Sequence, residues 1–325
     1  MTQPASSLSL VADVGGTNTR VALADGARLL TDTVEKVPNR QADSLAALLE
    51  AYVADRSVDC AAAAVAIAGP VHNGRGTLTN LDWSMDCDTL ATISKAETVA
   101  VLNDLQAQAY ALGRIADENL RPILPGQQAD PVAARLVIGI GTGFNAALAL
   151  STGQSRVVPA SECGHVTMPV RNAADLRLVQ FIERATGFAS VEDVQSGRGV
   201  ENIHAWHLHE AGDDTRHSAA DIMAAADQGD EMALKTVETF VQLMGRVAGD
   251  LALVHLPFGG IHYIGGVARA MTPYLDRFDF ARHFHDKGRF SDFMARFPVK
   301  LVEDDFAALA GLSAHLDALR KSRNS

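Results

Sequence analysis

Asp13 is the first residue whose setting suggests chemistry. It lies near the end of an apolar run and opens the turn Asp13-Val14-Gly15-Gly16-Thr17-Asn18, after which a second apolar run begins. Glycines at 15 and 16 tolerate positive φ and leave no Cβ between the backbone N–H groups and an approaching phosphate. Thr17 and Asn18 add side-chain donors, and Asp13 is placed to hold Mg²⁺ through water. The run Gly139-Ile140-Gly141-Thr142-Gly143 repeats the device, offering Gly141, Thr142 and Gly143. A third pair, Gly265-Gly266, follows an apolar run and precedes a helical pattern, a junction against which a flat ring such as adenine can lie. No GxxxxGK[ST] loop occurs, and the first turn leads into a strand, whereas the dinucleotide fingerprint opens a helix. Three glycine turns after strands point to a nucleotide gripped in a cleft between two domains.

The elements around these turns suit such a pair of domains. Residues 10–24 and 136–150 share one pattern, a β-branched strand, a Gly/Thr turn and a second strand, 126 residues apart. That offset is too long for a solenoid and right for two similar domains. Helical periodicity covers 44–55 and 105–112, and buried strands are expected at 61–69 and 98–103. Gly113, Pro122, Pro125 and Gly126 among charges mark 113–131 as a domain crossing. Further helices are expected at 174–186, 190–195, 199–210, 218–227 and 230–255, then a strand at 261–264 and a helix from 267. A strand at 298–302 and a helix at 305–320 finish the chain. The expected division is a small α/β domain, 1–112, completed by a C-terminal helix in 303–325, and a large α/β domain, 113–302.

Composition narrows the function. The net charge is -11, from 39 acidic against 28 basic residues, which repels a nucleic-acid backbone. Cys60, Cys87 and Cys163 are too few and too widely spaced for a disulfide framework. The N-terminus lacks a basic, then apolar leader, and the apolar runs at 61–69 and 251–257 are too short to span a bilayer. A cytoplasmic protein with no membrane or nucleic-acid partner is expected. The pairs Glu162-x-x-His165 and Glu201-x-x-His204 could suggest a carboxylate-bridged di-metal bundle, but the first lies in a Pro/Gly-bordered loop without helical periodicity. His204, His207 and His209 are read as an ordinary solvated or capping set, and no structural metal is expected.

The turns and what lies between them resemble the bacterial glucokinase family, the hexokinase-like branch of the actin/RNase H-like kinases. The likeness runs through DVGGTNTR (13–20), LNDLQA (102–107), GIGTG (139–143), ECGH (162–165), SGRGVENI (196–203) and FGGIHYIGGV (258–267). It implies an α/β fold of two actin-like ATPase (RNase H-like) domains flanking a nucleotide and sugar cleft. It implies that Mg-ATP phosphorylates glucose on a homodimer, with Asp104 as general base. Its sugar-hydroxyl partners fall on Asn80, Asn103, Glu162, His165 and Glu192. An ordinary Asp has a pKa of about 3.9, so Asp104 is expected to be ionised at neutral pH. The chain departs from the family pattern at Phe144 and Asn145, at Ser161 and Cys163, and across Phe306–Gly311. A sugar-responsive regulator would carry a DNA-binding helix-turn-helix before the first strand, for which the sequence leaves no room. The nearest alternative is a kinase for fructose, mannose or glucosamine.

Overall fold

The computed structural model describes residues 8–78, 81–128, 130–152 and 156–323. They divide into two compact units. The first is formed by the described residues within 1–116, 149–160 and 304–325, and the second by those within 117–148 and 161–303.

The first unit is built on strands β1 (Leu8–Val14), β2 (Asn18–Asp25), β3 (Arg28–Pro38) and β4 (Ala62–Ile67). Three short strands follow, β5 (Val71–His72), β6 (Arg75–Thr77) and β7 (Ser84–Asp86), and then β8 (Thr98–Asn103). The main sheet has the order β3-β2-β1-β4-β8, with β1, β4 and β8 parallel. All six residues of β4 are buried, as befits a strand covered on both faces. Its alternation sorts them. Ala63, Val65 and Ile67 join the core that includes Leu45, Leu49 and Leu90 on one side. Ala62, Ala64 and Ala66 face Leu309, Leu312 and Leu316 of the helix Ala307–Arg323 on the other. This all-alanine face admits the C-terminal helix closely. A Cβ at Gly311 of that helix would fall on the Ala107 carbonyl oxygen of the helix Asp104–Ala111.

The second sheet adds β9 (Leu120–Leu124), β10 (Arg135–Ile140), β11 (Phe144–Ser151), β12 (Arg156–Val157), β13 (Ile261–Ile264) and β14 (Val299–Val302). Its order is β12-β11-β10-β13-β14-β9. The core of the second unit forms around the helix Glu231–His255, whose Val237, Phe240, Val241 and Met244 are fully buried.

Several expectations needed correction. The crossing at 113–131 contains β9, a strand despite Pro122. It is one of the two edge strands, antiparallel to β14, and an edge tolerates a missing N–H. Segment 190–195 is a turn and not a helix. The Asp193 carboxylate accepts from both the N–H and the hydroxyl of Ser190, at 3.0 and 2.6 Å, and Ser190 bridges to Thr167. His204 and His207 are buried, with ring nitrogens 2.9 Å from the hydroxyls of Thr236 and Thr239, so only His209 fits a solvated reading.

The buried histidines set a pH dependence. Burial, aided by Lys235, pushes His207 down to about 4, and burial with Lys300 and Arg135 does the same to His262. Each Nδ1 lacks a partner, and burial outweighs what favours protonation, the Glu210 charge near His207 and backbone hydrogen bonds at both rings. Unfolded histidine takes its proton near pH 6.5, so the unfolded chain binds more protons between pH 6.5 and 4. The stabilisation is complete above 6.5 and is lost as the pH falls towards 4. Going from pH 7.5 to 5.5 should cost about 2–3 kcal/mol from these two residues. Urea midpoints across that range read it, and a flat profile would contradict it.

Candidate active site

Parallel registry brings the acidic residues of the first unit to one edge. Asp13 pairs with Ala66, and Ile67 with Asn103, so Asp13 and Asp104 both arrive at the carboxyl ends of the strands. The first glycine turn closes with Gly15 N–H donating to Asn18 C=O at 3.0 Å. It is pinned from behind by buried Asn39. That side chain donates to Gly15 C=O at 2.8 Å and accepts from the Thr19 hydroxyl at 2.9 Å, while its N–H donates to Thr17 C=O. Gly16 and Thr17 are exposed, and Asn18 is half-buried. Sequence reasoning missed Asn39, whose role depends on a contact 24 residues away.

Asn103 is the N-cap of the helix Asp104–Ala111. Its oxygen accepts from Leu105 N–H at 3.0 Å, its amide donates to Gly69 C=O at 3.0 Å, and Gln106 reaches back to the Asn103 N–H. One amide hydrogen is left for another partner. Because Asn103 caps the helix, Asp104 is its first residue, and one of its oxygens accepts from Leu105 N–H at 2.9 Å. Burial, then the neighbouring Asp13 charge, push Asp104 up to about 6. The expectation of an ordinary carboxylate pKa is therefore wrong, although the group is still mostly ionised at neutral pH. Burial also raises Asp13, against the pull of Arg20 at 3.5 Å. Two recessed carboxylates that repel each other, with one loosely held guanidinium, make a setting that a divalent cation relieves. These residues thus fit Mg²⁺. Asn80 lies outside the described residues.

In the second unit, Gly141–Gly143 follows β10 and Gly265-Gly266 follows the parallel strand β13, with Gly139 opposite Ile264. Gly265 has φ of 100°, a conformation costly for other residues, and opens the helix Gly266–Met271. Glu192 braces the Gly141–Gly143 turn. Its Oε2 accepts from Phe144 N–H at 2.9 Å and lies 2.6 Å from where a Cβ at Gly143 would sit. The Glu192 N–H in turn donates to Gly164 C=O at 2.9 Å. Gly164 is pressed onto β11 so tightly that a Cβ would fall on the Phe144 carbonyl oxygen. The structure therefore brings the Gly141–Gly143 turn, Glu192 and the loop carrying Glu162 and His165 together. Both of those side chains are exposed.

The departures at Asn145, Ser161 and Cys163 form one cluster. The Asn145 amide donates to Ser161 C=O at 2.6 Å, Cys163 Sγ lies 3.5 Å from Asn145 Oδ1, and Cys163 N–H donates to the Ser161 hydroxyl at 3.3 Å.

A family model described as Glucokinase matches residues 10–319. The glucokinase of Rhizobium leguminosarum bv. trifolii is 34% identical over 315 residues, covering 94% of this chain and 90% of the relative. That of a Chelativorans species is 33% identical with the same coverage. Among solved structures, glucokinase from an Antarctic psychrotroph matches with a TM-score of 0.85 and 30% identity, over 98% of this chain and all of that one. A ROK hexokinase from Thermus thermophilus shares the fold, with a TM-score of 0.67 at 19% identity over 97% of this chain and 99% of that one. The fold is the actin-like ATPase fold.

Proposed function

The chain belongs to the glucokinase family, and from that premise we propose that it transfers the γ-phosphoryl of ATP to the 6-hydroxyl of glucose, giving glucose 6-phosphate and ADP. The observation that carries the reading is the pair of recessed carboxylates at one strand edge, Asp13 behind the first glycine turn and Asp104 at the head of a helix.

Asp104 is the general base. Its carboxylate aligns the attacking hydroxyl and receives its proton late, as a loose phosphoryl-transfer transition state requires. Asn103, Glu162, His165 and Glu192 hold the sugar hydroxyls, together with Asn80. The set offers carboxylate acceptors, an amide and an imidazole, which suits a ligand that both donates and accepts. Gly15, Gly16, Thr17 and Asn18, with Gly141, Thr142 and Gly143, present donors to the phosphates, and Gly265-Gly266 lies under the adenine. Asp13 would hold Mg²⁺, and that ion would supply positive charge to the phosphate oxygens and relieve the repulsion between Asp13 and Asp104.

A cytoplasmic homodimer without nucleic-acid or membrane partners completes the reading. The free state of Cys60, Cys87 and Cys163 supports a reducing compartment, and the net charge of -11 supports the absence of nucleic acid. No helix among the described residues is long and apolar enough to cross a membrane.

Label transfer from γ-labelled ATP tests the chemistry. Glucose should become labelled and 6-deoxyglucose should not. Label on 6-deoxyglucose would move the acceptor to another hydroxyl, and no label on either sugar would end the proposal.

A further inference from the structure

Both oxygens of Glu192 are engaged, and by different parts of the second unit. Oε2 takes the Phe144 N–H, and Oε1 lies 3.1 Å from the guanidinium of Arg198, which also approaches Asp193 at 3.9 Å. Arg198 stands in the first turn of the helix Gly197–Glu210, whose start is tied to the same glycine turn. Gly197 N–H donates to Gly141 C=O at 2.8 Å. The N-cap Ser196 accepts from Gly199 N–H at 3.0 Å and donates to Glu192 C=O at 2.8 Å. Carboxylate, guanidinium and phosphate turn are therefore held in one frame.

Each carboxylate oxygen has two lone pairs, so both keep one for a hydroxyl while the present bonds fix where it points. Without Arg198 the carboxylate would be restrained by the Phe144 N–H alone and could rotate about its terminal torsion, which is soft. Folding stability gives no reason for the pair, because the Arg198 side chain is 59% exposed and exposed ion pairs contribute little.

We propose that Arg198 is a positioning residue that orients Glu192 towards the sugar hydroxyls and ties that orientation to the Gly141–Gly143 turn. The proposal rests on the reading of Glu192 as a sugar partner. It places a determinant of glucose affinity on a side chain that itself touches neither sugar nor phosphate.

Steady-state kinetics on Arg198→Gln, Arg198→Lys and Glu192→Gln test it. Arg198→Gln should raise KM for glucose about three- to tenfold, the worth of an oriented hydrogen bond, with kcat, KM for ATP and the thermal midpoint little changed. Arg198→Lys keeps the charge and should recover much of the loss. An unchanged glucose KM in Arg198→Gln, beside a raised one in Glu192→Gln, overturns the role of Arg198 and leaves Glu192 as a sugar partner. An unchanged glucose KM in Glu192→Gln overturns the reading of Glu192, and the proposal with it. A rise confined to KM for ATP would make Arg198 a phosphate contact and also overturn it.

Discussion

Replacing Asp104 by Asn lowers kcat at least a hundredfold while the protein stays folded and binds ATP. The substitution keeps the volume and one hydrogen-bonding oxygen but removes the charge and the basicity, and general-base contributions run to about 10²–10⁴-fold. The helix itself is indifferent to the change, because its cap is Asn103 and the capping box closes through Gln106. The bond from Leu105 N–H can be kept by the Asn oxygen. Asn also removes the repulsion between Asp104 and Asp13, so the folded state should lose no stability. A loss of activity therefore reports on proton acceptance and alignment of the hydroxyl. Rapid-quench measurement of the phosphoryl-transfer step, with urea unfolding as a control, separates a slowed chemical step from a loss of folded protein. A folded Asp104→Asn protein with most of its kcat would remove Asp104 from the chemistry.

The largest expected effect on stability lies away from the chemistry. Arg246, on the helix Glu231–His255, meets Asp175 Oδ2 at 2.7 Å, and each side chain is only 9% exposed. The same oxygen accepts from the N–H groups of Arg171 and Asn172 at 2.8 and 3.1 Å, so Asp175 also closes the capping box of the helix Ala173–Thr186. Arg246→Met keeps the bulk of the stem and strands the carboxylate. Breaking a buried pair from one side costs about 3–5 kcal/mol, because the remaining charge has no counter-charge. Adding Asp175→Asn should recover most of that loss, since Asn retains the oxygen that the two N–H groups need. Equilibrium urea unfolding of the single and double variants checks both statements. A cost below about 1 kcal/mol for Arg246→Met would mean that water reaches the pair.

Much of the fold and site is readable in the chain where a residue type states its own requirement. Glycines after strands announce close backbone approach, and Gly143 leaves no room for a Cβ beside Glu192, while the crowding of Gly164 against Phe144 had no signal in the sequence. Strands β1, β2, β4 and β8 of the first sheet were legible because their apolar runs are continuous and bounded by turns, whereas β3, half-exposed and rich in charge, was not expected. What failed to show depends on partners distant in sequence. The raised pKa of Asp104 arises from burial and from Asp13, which reach one edge only through the registry of β1, β4 and β8. Asn39 looks like any loop residue until its side chain is seen to hold the first turn. β9 was hidden by Pro122, because edge position cannot be read from composition. Over 190–195 an apparent helical pattern yields to the short-range bonds of Asp193 to Ser190, a local competition that favours turns.

The central claim is that this chain is an ATP-dependent kinase whose acceptor is glucose. ADP release measured with Mg-ATP against glucose, fructose, mannose and glucosamine tests it most directly. The expected result is release that depends on sugar, needs Mg²⁺, and has its highest kcat/KM with glucose. ADP release that is the same with and without sugar, or a higher kcat/KM with another hexose, would contradict the claim.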